Sequence, residues 1–157
     1  MSVTLKPMTQ EQFERYYEKS IEEYAAEHVK AGNWSEEEAL PNARKQFQQL
    51  LPDGLETENQ VLFTIVNEED KSIGILWLNI TEKQDEKHSF IYDIKLDEEQ
   101  QGKGYGKASM NVLEDYVKEQ GISQIGLHVF AHNKRAVALY EKVGFEMTDH
   151  VMKKRIT

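Results

Sequence analysis

The chain has 157 residues, 39 % of them apolar and 30 % charged, no cysteine and a formal charge of −9. That length suits one typical domain with its own core, and no apolar run approaches the ~18 residues that a helical membrane span requires. Lack of cysteine excludes a thiol nucleophile, a disulfide framework and thiolate metal sites, while the acidic balance opposes nucleic acid as a partner and suits a cationic amine.

The N-terminus, Met1 to Pro7, lacks the charged-then-apolar layout of a signal peptide, so a cytoplasmic protein is expected. No repeat, low-complexity tract or Pro/Gly/Ser linker divides the chain, and residues 1–157 read as a single domain. Val3 to Lys6 reads as a short strand closed by Pro7. Thr9 with Gln12 forms a capping-box pattern, after which Phe13, Tyr16, Tyr17, Ser20, Ile21 and Tyr24 recur at helical spacing toward Gly32. A second helix starts at Ser35, reinforced by Glu38, and passes through Ala39, Ala43, Phe47 and Leu50 to Pro52.

The period then changes to that of strands. Residues 61–66, 72–80 and 89–96 read as a meander of consecutive antiparallel strands, with turns at 67–71 and 81–87. Next come a glycine loop, a helix carrying Val112, Leu113, Tyr116 and Val117 on one face, and a stop at Gly121. A strand over 124–130, a helix over 133–143 stopped by Gly144, and a final strand over 145–155 complete the pattern. The order predicts an α+β fold in which one helix crosses over between the strands on either side of it.

The loop Gln101-Gly102-Lys103-Gly104-Tyr105-Gly106 lies between a strand and a helix. Helix N-termini present unpartnered N–H groups and partial positive charge, so a loop feeding one can hold a polyphosphate. Lys103 and Lys107 add charge beside it. A Walker loop, G-x-x-x-x-G-K-[ST], is excluded because Lys107, not glycine, stands five residues after Gly102 and Ala108 follows it. The dinucleotide pattern G-x-G-x-x-G would need glycine at 107, and no acidic residue ends the next strand to grip a ribose. What remains is [QR]-x-x-G-x-[GA], satisfied by Gln101, Gly104 and Gly106.

With the downstream segment Asn133-x-x-Ala136-x-x-x-Tyr140-x-x-x-Gly144-Phe145, this loop resembles the signature of the GNAT superfamily of N-acyltransferases. The resemblance covers nearly the whole chain, and its specificity lies in Ile91 to Phe145. It implies the family's fold: a mixed, mostly antiparallel sheet of six to seven strands flanked by about four helices. It also implies acetyl-CoA as co-substrate without a metal. The reaction would be direct attack by a primary amine in a ternary complex; the other reading is a non-catalytic acyl-CoA-binding sensor or interaction module. The acceptor stays open between a small molecule and a peptide amine. A homodimer through the C-terminal strand is a family habit.

The resemblance places the coenzyme on Ile94, Lys95, Leu96, Gln101, Gly102, Lys103, Gly104, Tyr105, Gly106, Lys107, Asn133 and Tyr140. A lysine-like amine costs about 4–5 kcal/mol to deprotonate at pH 7, so a base is expected. Asp93, on the strand before the loop, is the candidate; Tyr92 beside it is expected on the opposite face. Glu68, Glu69, Glu82, Asp85, Glu86, Glu98 and Glu99 read as solvated turn residues. The family implies an oxyanion donor in Ile94 to Leu96, at the Leu96 amide, and a general acid at Tyr140. Asn133 can cap its helix and meet the pantetheine arm; about 10 Å separates it from Tyr140 on one helix face. The five histidines form no metal-ligand pattern and read as surface or packing residues. In such folds the first two helices and loops, here those near Trp34, Gly54 and Glu82, wall the acceptor cleft.

Overall fold

The computed structural model describes residues 2–129 and 131–157. Five strands form one sheet in chain order, β1(Val3–Pro7), β2(Gln60–Asn67), β3(Ser72–Lys83), β4(Glu86–Leu96) and β5(Ile122–Leu127). The first four run antiparallel, and β5 lies parallel to β4. Helices α1(Gln10–Lys30) and α2(Glu36–Leu50) intervene between β1 and β2, α3(Tyr105–Glu119) makes the β4-to-β5 crossover, and α4(Lys134–Lys142) follows β5.

Local chemistry sets these boundaries. Thr9 and Ser35 each form a reciprocal capping box, with Gln12 and Glu38 respectively, so α1 and α2 begin where their first N–H groups gain side-chain acceptors. The β3–β4 hairpin closes through Gln84 and Asp85, both at positive φ, the geometry of a tight two-residue turn whose twist matches the strands. The strands therefore extend through most of the polar 81–87 stretch expected to be a turn.

The sheet is covered on both faces. Leu62 and Trp77 pack with Phe13, Ile21, Ala25, Ala39, Ala43 and Phe47 of α1 and α2. On the other face Phe63, Ile65, Leu76, Leu78 and Ile91 meet Met110, Leu113 and Val117 of α3. Neighbouring strand residues thus belong to different cores, as a period of two requires.

Two expectations change. The sheet has five strands among the described residues, not six or seven, because 145–157 forms no strand. A strand there would align Phe145, Met147 and Val151 with Asp149, Lys153 and Arg155 on one face. Such mixed patterning specifies no register, and Val151, Met152 and Ile156 are 100, 89 and 82 % exposed. The C-terminal strand invoked for a dimer is accordingly missing. The strand expected over 124–130 begins earlier, at Ile122, and ends at Leu127; Phe130 lies outside the described residues.

Candidate active site

The glycine loop forms a cradle built on β4, α3 and α4. After Leu96 a short 3₁₀ turn, Glu98–Gln100, redirects the chain, and the Gln101 side-chain amide donates to the Leu96 carbonyl at 3.1 Å. Gly102 and Gly104 have φ of +77° and +92°, left-handed values that glycine adopts without strain. A Cβ on Gly102 would come within 2.8 Å of the Arg135 guanidinium, and one on Gly106 within 3.1 Å of Leu139. One face of α4 therefore leans on the loop, and a guanidinium stands beside its glycines.

At the start of α3, the N–H groups of Tyr105, Gly106 and Lys107 have no intrahelical acceptor, and Lys103 and Lys107 are exposed beside them. These residues fit a pyrophosphate: free donors, close backbone approach and three cations. Tyr105 offers only its backbone, since its ring is buried against α3's core and its phenol donates to Glu68 at 3.1 Å. Arg135 was missed in the sequence, where it is an ordinary helical cation between Asn133 and Ala136.

Below the cradle, β4 and β5 part. Their pairing ends at Ile91 opposite Leu127, so residues 92–96 have no strand partner on that side among the described residues. The Asp97 N–H donates to Ile73 on β3 at 2.8 Å, while the Leu96 carbonyl in the same peptide faces Gln101. In extended backbone a residue's N–H and C=O share a side, which directs the Leu96 N–H into the gap.

A β-bulge decides which β4 side chains reach the cleft. Trp77 pairs with Asp93 but Leu78 with Ile91, leaving Tyr92 as the extra residue. Phe90 and Tyr92 before the shift, and Asp93 and Lys95 after it, all line the same cleft. This corrects the expectation that Tyr92 faces away from Asp93, because strict alternation fails at a bulge. Ile94 and Leu96 pack toward α3, on the cradle's side of the sheet, while the Lys95 side chain lines the cleft.

Asp93 accepts a 2.6 Å hydrogen bond from the Tyr16 phenol. Burial raises the Asp93 pKa, and the Tyr16 bond and Lys95 charge only partly oppose this. Burial, then the Asp93 charge, drives the Tyr16 pKa far upward, so Tyr16 remains a donor. Lys95 ion-pairs with Glu23 at 2.5 Å; burial works against its charge, but Glu23, Asp93 and Glu27 outweigh it and raise its pKa.

Tyr140 is half-buried on α4 with its ring 5.7 Å from Phe145. Its pKa is raised by burial and then by the charge of Asp93, which places both groups in one electrostatic neighbourhood. Asn133 caps α4, its side chain accepting from the Ala136 N–H.

Beside Asp93 opens a cleft of about 530 Å³ between α1, α2 and β4, lined by Tyr16, Glu23, Glu27, Trp77, Tyr92 and His128 among others. The first two helices form its wall as expected, but Trp34, Gly54 and Glu82 do not line it. Trp34 instead stacks on His28 at 4.1 Å. Of the turn carboxylates, Glu68 is held by Tyr105 and Glu86 accepts from Ser123. No group of three or more His, Asp or Glu residues is arranged to hold a metal among the described residues, and no helix among them is long and apolar enough to cross a membrane.

Known proteins resemble this chain over nearly its whole length. YycN of Bacillus subtilis, an uncharacterised N-acetyltransferase, is 40 % identical over 156 residues, covering 99 % of this chain and all of YycN. YdgE of the same organism, described in the same words, is 34 % identical with 99 % of each chain covered. The crystal structure of YycN superposes with a TM-score of 0.87 at 39 % identity, over 99 % of both chains. The pattern of the acetyltransferase (GNAT) family matches residues 10–145, from the first turn of α1 to the Phe145 that ends the downstream motif, and the chain belongs to that family.

Proposed function

We propose that this protein transfers the acetyl group of acetyl-CoA to a primary amine by direct attack within a ternary complex. The observation that carries the reading is the convergence of three features. A cationic cradle at Gln101 to Lys107 follows the strand that edges the gap beside Leu96, Asp93 stands on that same strand, and Tyr140 on α4 lies within the field of Asp93. Acetyl-CoA supplies the activated thioester carbonyl. The cradle N–H groups, with Lys103, Lys107 and Arg135, hold its pyrophosphate, and Asn133 and the 94–96 backbone hold its pantetheine arm.

Asp93 receives the proton that the attacking nitrogen must lose, directly or through water, and its raised pKa brings its basicity closer to neutral pH. The Leu96 N–H meets the carbonyl oxygen as it gains charge. As the C–N bond forms and the C–S bond breaks, the Tyr140 phenol donates a hydrogen bond to the departing sulfur. Burial and then the Asp93 charge raise the Tyr140 pKa, so the phenol stays protonated and full transfer of its proton to sulfur is disfavoured. Tyr140 therefore acts chiefly through the hydrogen bond, with the amine's proton available to finish neutralisation.

The test is thiol release from acetyl-CoA across a panel of amines, with acetyl-CoA binding measured by calorimetry. Binding with amine-dependent thiol release supports the reading. Binding without turnover across the panel, unaltered by Tyr140→Phe, indicates an acyl-CoA-binding sensor, and failure to bind acetyl-CoA overturns both.

A further inference from the structure

The cleft next to Asp93 extends well beyond a single reacting nitrogen. Its α1 wall is one helical stripe, Tyr16, Ser20, Glu23, Tyr24 and Glu27, spaced as residues on a single face must be. Tyr16 marks the position of Asp93 through their hydrogen bond. Glu23 lies seven residues, about 10 Å, farther along the axis, and Glu27 about 16 Å. The same cleft is lined by Trp77, Phe90 and Tyr92, with Trp77 and Tyr92 rings 5.2 Å apart and Phe90 and Tyr92 rings 5.9 Å apart. Phe90 and Tyr92 keep 38 and 42 % of their surface exposed, an apolar wall with room for a ligand.

The charges facing this space are Asp93, Glu23 and Glu27 against Lys95, with His128 at the rim. Lys95 pairs directly with Glu23 and lies in the fields of Asp93 and Glu27 as well, so three carboxylates share one cation, with Asp93 at the reacting end and Glu27 at the far end. A cleft that sets three carboxylates against one lysine and is edged by aromatic faces favours a polymethylene chain that carries ammonium groups, through charge, apolar contact and cation–π attraction. A carboxylate-bearing substrate such as a free amino acid would meet net negative charge and only a lysine already paired. At about 530 Å³ the space is within the range of small-molecule sites.

We propose that the acceptor is an extended polycationic amine: one nitrogen reacts at Asp93 while a second cationic centre, about 10–16 Å away, is held by Glu27 with the Glu23–Lys95 pair beside it. This rests on the acetyl-transfer reading for its reacting end only, since recognition of the distal charge is a binding property of the cleft.

The test compares spermidine, hexylamine, free lysine and a lysine-containing peptide as acceptors, and measures spermidine binding to the full chain by calorimetry without acetyl-CoA. Expected is a kcat/KM for spermidine at least about tenfold above that for hexylamine, the scale of one charge-assisted contact. Glu27→Gln should shrink that ratio toward one, and added salt should raise the spermidine KM more than the hexylamine KM. Glu114→Gln, on the far side of the sheet, controls for net charge and should leave the ratio unchanged. Equal use of spermidine and hexylamine, preference for the peptide or free lysine, or a ratio unmoved by Glu27→Gln would overturn the proposal. Spermidine binding that Glu27→Gln weakens, with no acetyl transfer to any amine, would uphold the subsite and sink the acetyl-transfer reading instead.

Discussion

Asp93 and Tyr140 are shifted in the same direction, and the proposed mechanism assigns them different work. Burial raises both pKa values, which in the proposed mechanism brings the base toward neutrality and keeps the phenol protonated. Replacing Tyr140 by Phe removes the donor to sulfur but leaves the ring against Phe145, so kcat should fall by about 10–100-fold with an unchanged unfolding transition. Asp93→Asn should lower turnover by about 100-fold and flatten the acid limb of the pH–rate profile. Its stability effect has a definite sign. A folded pKa above the ordinary 3.8 means the native chain keeps a proton that the unfolded chain has lost. Stability from this group is full below the unfolded pKa and is lost as pH rises through the folded one. Asp93→Asn, which can still accept from Tyr16, should therefore be at least as stable as the parent at pH 7 and lose less stability between pH 4 and pH 7. Urea midpoints at the two pH values check this; a marked loss at pH 7 would show that the carboxylate stabilises the fold.

At the level of elements, short-range chemistry was legible and register was not. Thr9–Gln12 and Ser35–Glu38 announced two helix starts to the residue, because a capping box is complete within four positions. Asn133, Tyr140 and the loop glycines were legible as a pair of motifs. The bulge at Tyr92 was hidden because an extra strand residue shows only against its partner, and with it went the joint placement of Tyr92 and Asp93. Tyr16, Glu23 and Glu27 carried only the mark of an amphipathic helix, and their role depends on β4 lying across from them. Gly74 shows how tightly that strand is held. Paired with Leu96, it leaves no room for a side chain, since a Cβ there would sit 2.2 Å from the Lys95 carbonyl. Gly74→Ala must push the end of β4 away, costing about 3 kcal/mol and disturbing both the Leu96 amide and Asp93. Urea unfolding and thiol release should fall together; an unchanged midpoint would contradict the close approach.

Across the whole molecule, the proposed coenzyme cradle and acceptor cleft draw on different layers. The cradle is made by α3 and α4 on one face of the sheet, the cleft by α1 and α2 on the other, and only β4 belongs to both. A ligand that spans the gap beside Leu96 consequently couples elements that otherwise meet only through the sheet. Binding to the native state alone stabilises it by about 2.7 kcal/mol at a ligand concentration one hundred times the Kd. For a chain of this size each kcal/mol shifts Tm by roughly 2–4 °C, so saturating acetyl-CoA should raise Tm by about 5–10 °C. Arg135→Ala, which removes a cation beside Gly102 without touching a core, should reduce that shift while leaving the Tm of the free protein within about 2 °C, as expected for an exposed position. Differential scanning calorimetry with acetyl-CoA and with ATP separates the pyrophosphate's contribution from that of the pantetheine arm. ATP can engage the cationic loop but not the gap, so its shift should be much the smaller; an equal shift from ATP would mean that the cradle alone binds and that the β4–β5 gap is not the path to Tyr140.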